Sequence, residues 1–198
     1  LQQINAPTLF RAGEIRAICL TLDDAATLQQ LFDENPDYFL AVSGQVARPD
    51  TAKEQLAGDV PKEFSYTRQL AIGFIDAAGR LIAVADLVSD LLAPGVWHIG
   101  LFMVASDQRR QGLGSRLYEA LENWVEAAGA RWIRLGVVIG NNVAERFWNA
   151  RQFNQIMVRH DVLMEGKLND VRVMVKPLGD NQLSEYRTLV GRDQPAPR

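Results

Sequence analysis

The chain has 198 residues, 47% hydrophobic and 23% charged, and its 21 basic and 24 acidic side chains leave a formal charge of −3. That balance suits one soluble core-forming domain and excludes the basic surface of a nucleic-acid binder. A single cysteine, Cys19, and two histidines, His98 and His160, exclude an internal disulfide and point to no metal; without a run of ~20 apolar residues or a signal-peptide layout, no membrane partner and a cytoplasmic location are expected.

Residues 1–13, with Pro7 and Gly13, show little periodicity and are expected to be a lead-in loop. Apolar alternation at Ile18, Leu20 and Leu22 predicts a strand over 15–22, and Thr21 or Asp23 can cap a helix over 24–33 that carries Leu28, Leu31 and Phe32 on one face. Asn35 to Phe39 is expected as a breaker, followed by a second helix over 48–57 with Pro49 in its first turn. Two β-rich runs, 67–75 and 80–88, flank Asp76-Ala-Ala-Gly79 and predict an antiparallel hairpin. Pro94-Gly95 turns the chain into a strand over 96–104. A helix follows with Leu113, Leu117, Leu121, Trp124 and Val125 at helical spacing and Gly129 at its end. The run 132–139 is a further strand, expected to lie parallel to 96–104 through a right-handed crossover and to diverge from it, opening a cleft at the C-terminal ends. A short helix with Val143, Ala144, Phe147 and Trp148 comes next, then a hairpin of 153–164 and 171–176 joined by 165–170. The division expected is one domain over 1–178 and a polar tail over 179–198.

Between the strand ending near Val104 and the following helix, the segment Gln108-Arg-Arg-Gln-Gly-Leu-Gly-Ser115 reads as a cradle for a pyrophosphate. The first backbone N–H groups of a helix lack partners and its dipole favours an anion. Gly112 and Gly114 let backbone close on a phosphate, and Arg109 and Arg110 add charge. A Walker A loop would need Gly-Lys-Ser/Thr, and a dinucleotide fingerprint would need glycine where Leu117 stands; neither is present.

Arg109-x-x-Gly112-x-Gly114 after a strand resembles the acyl-CoA signature of the GNAT superfamily of N-acyltransferases. Asn141-x-x-Ala144-x-x-Phe147-Trp148-x-x-x-Gln152-Phe153 resembles that superfamily's second motif, and the element order from about 13 to 178 agrees. The resemblance implies a mixed α/β (α+β) fold: a mainly antiparallel central sheet with one parallel, splayed strand pair and flanking helices. It implies acetyl-CoA as acyl donor, with backbone at Phe102, Met103 and Val104 pairing with the pantetheine arm. Gln108, Arg109, Arg110, Gln111, Gly112, Leu113, Gly114 and Ser115 would hold the pyrophosphate. Asn141, Phe147 and Trp148 would line the pantetheine, Asn141 by a hydrogen bond that competes with a plain helix-cap role. Two positions depart from the pattern. Trp148 replaces a tyrosine that often acts as general acid, and Gln152 replaces a glycine.

The base is left to three candidates: His98, placed by alternation on the face of Gly100, Phe102 and Val104; Asp86, which interrupts an apolar strand; or a water relay. The reading is an N-acetyltransferase that moves acetyl from acetyl-CoA to a primary amine by direct attack in a ternary complex. A small-molecule amine is the expected partner, and a second copy of the chain is a further candidate. A protein or peptide N-acetyltransferase and a non-catalytic acyl-CoA-binding regulator are the alternatives. Tyr38, Phe39 and Tyr66 are candidates for the acceptor side, and Asp33, Glu34 and Asp37 for attracting a cationic amine. Cys19 is too isolated to be proposed as a nucleophile.

Overall fold

A computed structural model describes residues 6–58, 60–109 and 111–194; the expectations for 1–5, for Arg110 and for 195–198 lie outside the described residues. The expected hairpin forms from β3 (Arg68–Ile75) and β4 (Leu81–Ser89), antiparallel from Arg68 opposite Ser89 to Ile75 opposite Leu81. Asp76 closes its turn by accepting the N–H groups of Ala78 and Arg80 at 2.9 Å each, and Gly79 takes the positive φ of 85° that the reversal demands. Before this hairpin stand β1 (Thr8–Ala12) and β2 (Ile15–Cys19). After it come β5 (Val96–Val104), β6 (Trp132–Val138), β7 (Asn154–Met164) and β8 (Lys167–Pro177). The eight strands form one sheet in the order β1-β2-β3-β4-β5-β6-β8-β7, antiparallel throughout except for β5 and β6.

Helices cover both faces of the sheet. On one lie α1 (Ala25–Asp33), α2 (Pro36–Val42) and α3 (Thr51–Ala57), which bury Leu28, Leu31, Phe32 and Phe39 against Ile18, Ile75, Val84 and Met103. On the other lie α4 (Leu113–Ala127) and α5 (Asn142–Asn149), where Leu117, Leu121 and Val125 meet Ile72, Ala85 and Ile99. Full burial of each such aliphatic side chain contributes about 1.5–3 kcal/mol. α4 ends in a Schellman motif, with Ala130 N–H on Val125 O at 2.9 Å, Gly129 N–H on Glu126 O at 2.9 Å and Gly129 at φ 101°. Among the described residues no helix is long and apolar enough to cross a membrane.

Five expectations are corrected. The supposed lead-in loop contains β1, which Phe10 anchors by stacking on Trp124 at 5.3 Å and meeting Phe74 edge-on, contacts distant in sequence that no local pattern reveals. The breaker at 35–39 is the start of α2, because Pro36 occupies a first helical position, where its missing N–H has no intrahelical partner to lose. Pro49 instead lies ahead of α3, whose N-cap is Asp50. The closing hairpin turns through Glu165-Gly166 alone, both at positive φ (46° and 89°), so β8 begins at Lys167 rather than 171. The polar tail expected after 178 contains α6 (Leu183–Leu189), whose Tyr186, with Val190 just after the helix, is buried against Trp132 and Val175. Its polar composition reflects one exposed face of a packed helix.

Candidate functional site

β5 and β6 pair only from Val96–Trp132 to Ile99–Leu135; beyond that the two parallel strands separate, as their sequences suggest. β4 still pairs with the rest of β5, so one edge of β5 is left open along the gap. Ala105 N–H bonds Ile82 O at 2.9 Å, toward β4. By alternation the backbone of Met103 is spent on β4 as well, while Phe102 and Val104 present their polar groups to the gap. Val104 O is taken by Arg109 Nε at 2.9 Å, and Val104 N–H remains directed at the opening.

The gap leads to the start of α4. Gly112 is its N-cap at φ 73°, no side chain caps it, and the first backbone bond back is Arg116 N–H to Gly112 O at 3.2 Å. The N–H groups from Gly112 through Leu113 and Gly114 to Ser115 are therefore unpartnered among the described residues, the arrangement that holds a phosphate. A Cβ on Gly112 would meet nothing within 4 Å among the described residues, so the space beside this N-cap is open there. Gly114 has a different reason: a Cβ there would come 3.2 Å from Phe147, so this glycine lets α4 and α5 close on each other. The residues fit a pyrophosphate through backbone donors.

Arg109 contributes less charge there than its motif suggests. Arg109 folds back, donating to Asn35 Oδ1 at 2.7 Å and to Asp37, and so ties the entry of α2 to the end of β5. Leu113 is buried in the core, Gln111 is exposed, and Gln108 spends its N–H on Ala105 O at 2.9 Å in a short 3-10 turn. Arg151, absent from the sequence reading, donates to Ser115 Oγ and lies 3.4 Å above the Phe147 ring, which brings a cation to the first turn of α4. Its spacing of four from Phe147 at the end of a helix was the available signal.

Asn141 caps α5 by accepting Ala144 N–H at 3.1 Å. The cap consumes its oxygen and leaves the amide N–H₂ without a partner among the described residues. Phe147 stacks on Phe102 at 5.6 Å, and Trp148 is buried among Phe102, Tyr118 and Phe153 as part of the core. Gln152 holds the left-handed φ of 63° that favours a glycine.

On the opposite face of the sheet a cavity of ≈ 580 Å³ lies between α3, the 60–64 loop and strands β3 to β7. Asp86 and His98 both line it. The expected grouping of His98 with Phe102 and Val104 is overturned by a β-bulge. Asp86 pairs with Leu101 and Leu87 with Ile99, so Gly100 is an extra residue that reverses the alternation. Trp97 and Ile99 face α4, as do Phe102 and Val104, and His98 faces the cavity.

Asp86 is 6% exposed. Burial lifts its carboxyl to about 6, against hydrogen bonds from Gln69, at 3.4 Å, and Gln55. Its Oδ2 occupies the space of the missing Gly100 side chain, 2.9 Å from where a Cβ would stand. This puts the carboxylate at the point where β5 leaves β6. A methyl group at Gly100 would therefore displace that carboxylate.

His98 is a weaker base. Arg134 Nη1 lies 3.3 Å from its Nδ1, and since a guanidinium only donates, Nδ1 is the acceptor and Nε2 carries the proton. Burial and the Arg134 charge push the imidazole down to about 3, with Asp193 opposing. Tyr38 is held above the ordinary phenol range by burial and then by the Asp86 charge. Phe39 is core and Tyr66 is exposed. Asp33 and Glu34 accept from Gln29 and Gln30, and Asp37 is bound by Arg109. None of these three carboxylates lines the cavity.

The cavity's far end rests on a network that the sequence reading did not anticipate. Asp193, 1% exposed, accepts Arg134 Nε at 2.7 Å, Arg159 Nη2 at 2.8 Å and the Tyr186 hydroxyl at 2.6 Å.

A model of the family described as "Acetyltransferase (GNAT) family" matches residues 28–153, more than half of the chain. No curated protein matches. Among solved structures, an acetyltransferase from Thermus thermophilus is 19% identical with a TM-score of 0.66, covering 83% of this chain and 97% of that one. The spermidine N-acetyltransferase from Vibrio cholerae in complex with CoA and spermine is 14% identical, TM-score 0.64, over 83% and 96%. The ribosomal-protein-S18-alanine N-acetyltransferase from Escherichia coli is 19% identical, TM-score 0.61, over 85% and 98%. At these identities the likeness is one of fold.

Proposed function

The chain belongs to the acetyltransferase (GNAT) family, and from that premise we propose that it transfers an acetyl group from acetyl-CoA to a small primary amine by direct attack in a ternary complex. Acetyl-CoA-dependent acetyl transfer is the general activity of the family. The observation that carries the finer reading is the open edge of β5 running from the uncapped start of α4 to the carboxylate of Asp86. One face of the strand then serves the donor and the other the acceptor.

In this reading the N–H groups of Gly112 to Ser115 hold the pyrophosphate, and the Phe102 and Val104 backbone aligns the pantetheine arm as an added strand would. The Asn141 amide N–H₂ donates to that arm. Asp86 takes the proton that the attacking nitrogen sheds as the N–C bond forms, and Phe102 N–H, nearer Asp86 along the open edge than Val104, stabilises the negative charge that develops on the carbonyl oxygen. Breaking the C–S bond releases a thiolate whose pKa is about 8.5, near enough to neutrality to leave without a dedicated acid. Trp148 in place of tyrosine is compatible with turnover on that ground. The cavity volume suits a small molecule.

Thiol release from acetyl-CoA against a panel of primary amines, with calorimetric titration of CoA, tests the assignment. Gly112→Val fills the space before the α4 donors and is expected to weaken CoA binding at least about tenfold. Equal affinity in the variant would remove the pyrophosphate assignment, and no thiol release with any amine would remove the transfer activity.

A further inference from the structure

The acceptor cavity is bipolar. At the end formed by β4 and α3 stand Asp86, whose polar partners are the uncharged Gln69 and Gln55, and the rim carboxylates Glu54 and Glu165. The rim pair is partly neutralised by Arg48, which donates to Glu54 and lies 3.9 Å from Glu165. At the other end Arg134, Arg159 and Arg192 converge from β6, β7 and the C-terminal turn.

Asp193 can compensate only part of that charge. It accepts from both Arg134 and Arg159, so one negative charge serves two guanidinium groups. Arg192 is exposed at the mouth, its Cζ 4.3 Å above the Phe64 ring, and among the described residues no carboxylate lies within 4.0 Å of its guanidinium. Partial desolvation and then the charges of Arg159 and Arg134 push that guanidinium below its usual range, against Asp193 and Glu63. Arg159 Nε is buried with no hydrogen-bond partner. A planar fork of donors with unspent charge is the arrangement that recognises an oxyanion.

We propose that the acceptor is an amino-acid-like molecule, a primary amine that also bears an oxyanion, with the amine at Asp86 and the oxyanion at Arg192 and Arg159. This rests on the acetyl-transfer reading above. It excludes simple polyamines, whose second cation would face the arginine end.

Thiol release from acetyl-CoA is to be compared within matched pairs, phenylalanine with phenethylamine and lysine with cadaverine, and with the aminophosphonate analogue of phenylalanine. The carboxylated member is expected to exceed its partner in kcat/KM at least about tenfold, the worth of a hydrogen bond to a charged group. Arg192→Ala, at an exposed position, should bring that ratio to within about twofold of unity, and Arg159→Gln should reduce it in the same direction. An aminophosphonate turned over like its amino acid means that any oxyanion is read; one that is refused narrows the class to carboxylates. Equal rates within the pairs, or a ratio untouched by Arg192→Ala, overturns the inference and leaves acetyl transfer standing. Absence of release with every amine overturns the transfer reading instead. Calorimetric titration of phenylalanine and lysine then decides the oxyanion site alone: a loss of affinity of about tenfold or more in Arg192→Ala supports it, and equal or absent binding to the wild-type and variant proteins overturns it.

Discussion

Asp86→Asn is expected to lower kcat/KM by about 10²–10⁴-fold while making the protein more stable at pH 8. Both effects come from burying one carboxylate without a cation beside it. Its folded pKa of about 6 stands above the ordinary carboxyl value of 3.8, so folding favours the protonated form. The stability this contributes is fully present below the unfolded pKa near 4 and is lost as pH rises through about 6. At pH 8 the ionised group therefore opposes folding, by an amount on the order of 3 kcal/mol, and the uncharged amide removes that cost. Thermal melts at pH 4 and pH 8 should show the gain only at the higher pH. Wild-type kcat/KM should fall with an acid limb near pH 6, and the variant should lose that limb. Activity within twofold of wild type would hand the proton transfer to water.

Asp193→Ala should have the largest effect on stability, a loss of about 3–5 kcal/mol and a fall in Tm of roughly 10 °C or more. The carboxylate binds Arg134, which is only 9% exposed, and removing it strands a guanidinium in the core. Burial alone would raise the Asp193 carboxyl; the hydrogen bonds and charge of Arg134, with Tyr186 and Arg159, hold it well below the usual range. Its contribution is present above the unfolded pKa near 4 and fades as pH falls through the lower folded value. Denaturant titrations of the two proteins at pH 7 and pH 3 should converge toward the acid end. A loss under 1 kcal/mol at pH 7 would mean that the network contributes little to holding the C-terminal turn on the sheet.

The sequence carries the start of α4 more plainly than the cavity beside Asp86, and the reason lies in chain distance. The α4 turn and the Asn141 cap are local motifs whose chemistry depends on backbone within a few residues. The parallel β5–β6 pair follows from crossover handedness and helix length. The cavity instead draws together β3 to β7, α3 and the C-terminal turn. Arg134, Arg159 and Asp193 are 25 and 34 residues apart, and nothing in a window of either length marks them as partners. His98 was misplaced because alternation assumes an unbroken strand, and the extra residue at Gly100 reverses the phase of everything after it. Arg109 reads as a phosphate ligand by its motif, yet Asn35 and Asp37, more than seventy residues earlier, claim its side chain.

The short seam between β5 and β6 makes the sheet two plates. β1 to β5 form one and β6, β8 and β7 the other, coupled directly through four residue pairs at one end. Such a joint is expected to flex about its closed end. A ligand that hydrogen-bonds along the free edge of β5 acts as a splint across the joint. Within these two strands, amide hydrogen exchange in the empty protein is then expected to be fastest at the open ends, and the slowing that a ligand brings there to measure how stiffly it couples the plates.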